Sequence, residues 1–184
     1  MSHLERLKIV GIASIMFLAG CGMQPNLDTV SNYVEIDSLL TTQFDLLYKK
    51  SLVKEVWLDG QSESQELAMD SLDWRTELSF LKEINPNQPE YVGGFAGDDS
   101  DDLTTLALKS SESGALKKFS FASKNGKINS IQAIIHEDKD VYVHHRDINL
   151  KLENSEIVEY QIDGYQKIML KDTIWFRIQG SVVN

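Results

Sequence analysis

At 184 residues the chain has room for one ordinary domain, and its 42% hydrophobic and 25% charged content is that of a globular protein, which excludes disorder as the default. The formal charge is −10; Arg6 and Lys8 against Glu5 put +1 on the first twenty residues, leaving −11 on the rest. A body that acidic repels nucleic acid and anionic lipid, and a single cysteine excludes a disulfide within the chain.

Residues 1–20 have the parts of an export signal. A short charged start is followed by Ile9 to Gly20, about a dozen residues without a charge, which is too short for a membrane-spanning helix of roughly 20. The run ends in Leu18-Ala19-Gly20-Cys21, which resembles the lipobox of bacterial lipoprotein precursors. The resemblance implies that the Cys21 thiol is diacylglycerated, that the chain is cut just before it, and that the new amine is acylated. Several acyl chains anchor firmly, at about 0.8 kcal/mol per buried methylene, so the expected partner is a membrane, held through Cys21. By resemblance to the enterobacterial sorting rule, Gly22 in place of an Asp favours the outer membrane.

Residues 21–27 are polar, contain Pro25 and read as a short tether. Asp28 can cap a helix in which Val30, Tyr33, Val34, Ile36, Leu40, Phe44 and Leu47 recur at three- and four-residue intervals up to about Lys50. Glu35, Asp37 and Asp45 stand where a lipid-surface helix would carry Lys and Arg, so packing on a sheet is expected. The period changes to two from Val53 to Leu67 around Asp59-Gly60, which predicts a small β-hairpin. A second helix starts near Asp70 or Ser71, shares Trp74 and Leu78 on its buried face, and ends before Pro86. Residues 85–102 hold two prolines, three glycines and the run Asp98, Asp99, Ser100, Asp101, Asp102, and read as an acidic loop.

Beyond Leu103 the pattern is strand: Thr104 to Lys109, Leu116 to Ala122, and, after the Asn125-Gly126 turn, Ile128 to His136. Val141 to Leu152, Ile157 to Lys171 with Gly164 at a bend or bulge, and Ile174 to Val183 complete the series. A turn through Lys171-Asp172-Thr173 would pair Leu170 with Ile174, Ile168 with Phe176 and Gln166 with Ile178. The expected fold is α+β in one domain, 28–184. An N-terminal helix–β-hairpin–helix unit (28–84) packs, across the acidic loop, on a C-terminal antiparallel meander of about six strands (103–184).

The stretch Lys54-Glu55-Val56-Trp57-Leu58-Asp59-Gly60, with Leu72-Asp73-Trp74, Glu77-Leu78, Ile84-Asn85-Pro86 and Tyr165-Gln166-Lys167-Ile168, is similar to a group of uncharacterised lipoproteins of Bacteroidota. That resemblance implies the same helix–hairpin–helix followed by antiparallel sheet, and brings no activity or catalytic residue with it.

Few residues carry chemistry. His136, His144 and His145 flank Glu137, Asp138 and Asp140, a local supply of divalent-metal ligands. Period two, however, sends His144 and His145 to opposite faces, so a centre would be two histidines and a turn carboxylate (His136, His144 and Asp138 as candidates). Surface histidines on a hairpin are the better reading, and no cofactor is expected. The acidic run lacks the spacing of a calcium loop. There is no Gly-x-Ser-x-Gly elbow, phosphate loop or HExxH, so no catalytic residue is named. Among the aromatics, Trp57, Trp74, Tyr91, Phe95, Tyr142 and Trp175, most belong in a core. If Ile174, Phe176 and Ile178 face inward, Trp175 and Arg177 face out and could contact a ligand, with Tyr91 near them.

The resulting expectation is a non-enzymatic, membrane-anchored module that binds another envelope protein or a small apolar or glycan ligand across its sheet. The runner-up is a lipid or lipoprotein carrier, which requires a hollow between helices and sheet. A hydrolase would require two carboxylates or a Ser–His pair converging in a cleft.

Overall fold

A computed structural model describes residues 34–100 and 102–184. The expected signal peptide 1–20, the lipidation residue Cys21, the tether 21–27 and the helix start at Asp28 lie outside the described residues.

Helix α1 (Ile36–Leu46) buries Ile36, Leu40 and Gln43 along one stripe. Helix α2 (Ser71–Glu77) begins with a capping box: the Asp70 carboxylate accepts the N–H groups of Asp73 and Leu72 at 2.9 and 2.7 Å, and the Asp73 carboxylate accepts the N–H of Asp70. Those two backbone donors, Asp73 first, hold the Asp70 carboxyl below the usual carboxylate range. After Glu77 the chain tightens into a 3₁₀ turn, Leu78–Lys82, so the second helix is shorter than its apolar spacing predicts. Trp74 and Leu78 are nevertheless both fully buried.

All strands among the described residues belong to one antiparallel sheet of nine. They are β1 (Ser51–Leu58), β2 (Gln61–Ala68), β3 (Phe95–Ser100), β4 (Leu103–Leu108), β5 (Leu116–Lys124), β6 (Lys127–Lys139), β7 (Tyr142–Glu153), β8 (Glu156–Ile168) and β9 (Ile174–Val183), in the order β2-β1-β9-β8-β7-β6-β5-β4-β3. This overturns the α+β expectation of a helix–hairpin–helix unit on a sheet of about six strands. The β1–β2 hairpin is no separate unit, because every residue of β1 pairs with β9, from Ser51 opposite Val183 to Leu58 opposite Phe176. That pairing satisfies the backbone groups that β9 would otherwise expose at an edge.

The acidic loop is corrected as well. Asp98 and Asp99 lie in β3, opposite Thr105 and Thr104 of β4. Main-chain pairing with β4 is indifferent to carboxylates that stay solvated, and charge along an outer strand discourages further strands from adding there.

Three of the two-residue turns share one geometry. Asp59-Gly60, Asn125-Gly126 and Asn154-Ser155 all have positive φ at both positions, as a two-residue hairpin turn of matching twist requires. The β8–β9 connection is longer than expected: Ile174 pairs with Gln166 and Phe176 with Gly164, a slide of four positions along β8. Gly164 sits in regular register and is neither bend nor bulge. A Cβ there would stand 2.5 Å from the His145 carbonyl oxygen and 2.6 Å from Cζ of Phe176, so close approach of the neighbours explains the glycine.

One face of the sheet, the inner face, is core. Ile162, Ile148, Ala133 and Phe119 run across it from β8 to β5, with Ile157, Leu150, Ile131 and Leu106 beside them. Both described helices lie on this face and are bolted to it by polar contacts. The buried Gln43 amide donates to the Ser155 carbonyl at 2.8 Å and accepts the Ile157 N–H at 2.7 Å. Glu77 accepts from Lys54 of β1 at 2.8 Å and from the Tyr160 hydroxyl of β8, and Lys50 pairs with Glu156 at 2.5 Å. No described helix is long and apolar enough to cross a membrane.

Candidate functional site

Alternation along each strand sends every second side chain to the opposite, outer face, where neither described helix packs. Register then decides which side chains meet. Trp175 of β9 lies opposite Tyr165 of β8, Tyr165 opposite His145 of β7, and His145 opposite His136 of β6. The four rings make one continuous row, with centroids 4.9, 5.3 and 5.6 Å apart in that order. Tyr165 and His145 stack at 23°, and Trp175 is 60% exposed at the end of the row.

The neighbouring row is charged: Trp57 of β1, Arg177, Asp163 and Asp147. The Arg177 guanidinium sits 6.0 Å from the Trp57 ring centre, in cation–π range, and its Nε donates to Asp163 at 2.5 Å. Gln161 donates to the other Asp163 oxygen, and His145 Nε2 lies 3.2 Å from Asp147. At the end of the groove the backbone N–H of Trp175 donates to Asp59 at 3.1 Å. These residues line an open groove of about 720 Å³.

One row further on, Glu55, Gln179, Gln161, Asn149 and Gln132 follow one another across β1, β9, β8, β7 and β6. Two smaller depressions adjoin this amide row. One, of about 180 Å³, shares Asp147 with the groove and reaches Asn149 and Gln132; the other, of about 230 Å³, runs from Asn149 to Gln161.

The structure separates the residues the sequence singles out. Trp175 and Arg177 stand on the outer face two positions apart and both line the groove. Tyr91 is 2% exposed, packed against Phe95 under Gly114, and its hydroxyl accepts the Leu116 N–H at 3.0 Å, so it belongs to the core and does not line the groove. Burial raises its hydroxyl pKa. His136 meets His145 rather than His144, because a two-residue turn puts Lys139 opposite Tyr142 and that register sets His144 opposite Glu137 on the inner face. There burial and then the Arg146 charge hold the His144 imidazole below its ordinary pKa. Asp138 lies opposite Val143, and among the described residues no group of three or more His, Cys, Asp or Glu is placed to hold a metal. The set His136, His144 and Asp138 is therefore divided between two faces.

Tyr165, Asp147 and Asp163 are groove residues to which the sequence reading gives no role, and His145 enters it only among possible metal ligands. The only signal for them is period two applied outward from Trp175, and it becomes usable once β8 is in register with β9.

Comparison with known proteins yields no match: no family model fits the chain, and no curated protein or solved structure is detectably similar to it.

Proposed function

We propose that this chain is a non-enzymatic binding module, tethered to a membrane through Cys21, that takes its ligand on the outer face of the sheet. The observation that carries this reading is the row Trp175, Tyr165, His145 and His136 beside a groove of about 720 Å³. A scattered exposed apolar residue needs no explanation, but contiguous rings rimmed by polar groups mark interaction sites. Trp and Tyr add large rigid contact area at little entropic cost.

Two features weigh against the other readings. A carrier needs a hollow between helices and sheet, whereas Trp74, Leu78, Leu81 and Ile84 are fully buried there. A Ser–His hydrolase finds no serine lining the groove, and of the groove carboxylates Asp163 spends both oxygens on Arg177 and Gln161 while Asp147 faces His145. The lipobox Leu18-Ala19-Gly20-Cys21 supports the tether, and Gly22 supports sorting to the outer membrane.

The test is a photo-crosslinking benzophenone amino acid in place of Trp175, irradiated in intact cells. Leu72, 69% exposed on α2, serves as the control position. Adducts at 175 and none at 72 are expected; no adduct at 175, or the same adducts at both, contradicts the reading.

A further inference from the structure

We infer that the ligand of the outer face is an uncharged oligosaccharide, several sugar rings long, laid across the strands. This rests on the reading of that face as the binding surface, and the observations narrow the chemistry by elimination and by fit.

Anions are disfavoured, since around the groove and its neighbouring depressions Glu55, Asp59, Asp147, Glu159 and Asp163 outnumber Arg177, Lys118 and Lys151, and the whole chain carries −10. Every groove carboxylate is already engaged through at least one oxygen, and the Arg177 guanidinium stands among them against a cation. Asp163 is taken by Arg177 and Gln161, Asp147 faces His145, and Asp59 accepts the Trp175 N–H. A purely apolar ligand would strip water from these same groups without replacing it. What remains is a neutral ligand with both an apolar face and many hydroxyls.

The fit is positive as well. Trp175, 60% exposed at the end of the row, offers ring surface for the C–H face of a sugar, and Tyr165, stacked on His145, supports it from the neighbouring strand. The amide row beside the groove offers donors and acceptors to hydroxyls, which are themselves both. Asn149 and Gln132 are exposed and make no hydrogen bond with other described side chains, so their full capacity faces outward. Depressions that share Asp147 and Asn149 connect ring row to amide row. The ring row crosses four strands, about 15 Å at ordinary strand spacing, which is the reach of a short chain of sugars and not of one.

The experiment titrates the full chain, held in a detergent without a sugar headgroup, with neutral hexasaccharides of glucose, xylose, mannose and N-acetylglucosamine. Calorimetry and tryptophan fluorescence report binding, and a galacturonic acid hexamer is the anionic comparison. At least one neutral hexamer is expected to bind, at least about tenfold more tightly than the anionic one. Trp175→Ala and Tyr165→Ala should each weaken it about tenfold or more, and Asn149→Ala should weaken it severalfold, all with unchanged circular dichroism.

Absence of binding by every neutral hexamer, or binding indifferent to Trp175→Ala, overturns the inference. If the sugars fail while the crosslinker at 175 captures a protein or a second copy of this chain, the sugar assignment falls and the binding face stands. If both experiments are empty, both readings fall.

Discussion

The ring of Tyr160 occupies the space in which a side chain at Gly180 would stand: a Cβ there would lie 2.2 Å from its Cε1 and 2.3 Å from its Cζ. The two are paired across β8 and β9, with Lys54 of β1 next in the same row. Lying over the glycine, Tyr160 reaches Glu77 on α2, which Lys54 also holds, and burial pushes its hydroxyl pKa up. Gly180→Ala should therefore displace the ring and cost about 1–3 kcal/mol, read as a lower denaturation midpoint in urea. Gly126→Ala is a poor control because of its positive φ, whereas Ser181→Ala, half-buried on the outer face, should change the midpoint little.

Gln43 connects segments more than a hundred residues apart, bonding Ser155 and Ile157 with one amide. Gln43→Leu keeps the volume and leaves the Ile157 N–H and the Ser155 carbonyl without that partner. Stability should fall by about 2 kcal/mol, and hydrogen exchange at the Ile157 amide should accelerate. An unchanged rate at that amide would show that the contact does not hold the β7–β8 turn.

The parts of this fold that are legible in sequence are local. Asp59-Gly60 and Asn125-Gly126 announce their hairpins because few residues accept positive φ, and Trp74 with Leu78 marks a buried stripe by spacing alone. What stayed hidden is non-local. Nothing in Val53, Glu55 or Trp57 says that their strand adds to β9, and Asp98-Asp99 conceals a strand because pairing uses the backbone. The β8–β9 register was misplaced by four positions, an even number, so Trp175 and Arg177 still emerge on the same side that their alternation with Ile174 and Phe176 implies. A slide of one would have inverted the face. The groove was legible only at its end, Trp175 and Arg177, because its middle depends on pairing.

His144 predicts a pH dependence. Burial, then the charge of Arg146, disfavours its protonated form in the fold, although Glu137 and Glu83 oppose this. The unfolded chain takes up that proton near the ordinary value of about 6.5, so the unfolded state binds more protons just below it. The stability contributed by neutral His144 is thus full above about pH 6.5 and is lost as pH falls from there through the lowered folded value. Urea midpoints measured from pH 7.5 downward should decline, and His144→Gln should flatten the decline at its upper end. Identical profiles would assign the slope to other groups.

Cys21→Ala tests the tether. Without the thiol there is no acyl anchor, and the chain should move from the membrane pellet to the soluble fraction of the cell envelope or remain as uncleaved precursor. Full membrane retention of a cleaved product would refute the lipoprotein reading.

Hydroxyl-radical footprinting measures occupancy of the outer face without altering a residue. Oxidation of Trp175 and Tyr165 is compared between intact envelopes and the purified chain, with the exposed Leu72 and Val92 as references. Trp175 and Tyr165 are expected to oxidise several times more slowly in envelopes while Leu72 and Val92 keep their rates; equal rates for Trp175 in both settings would show that the outer face is unoccupied.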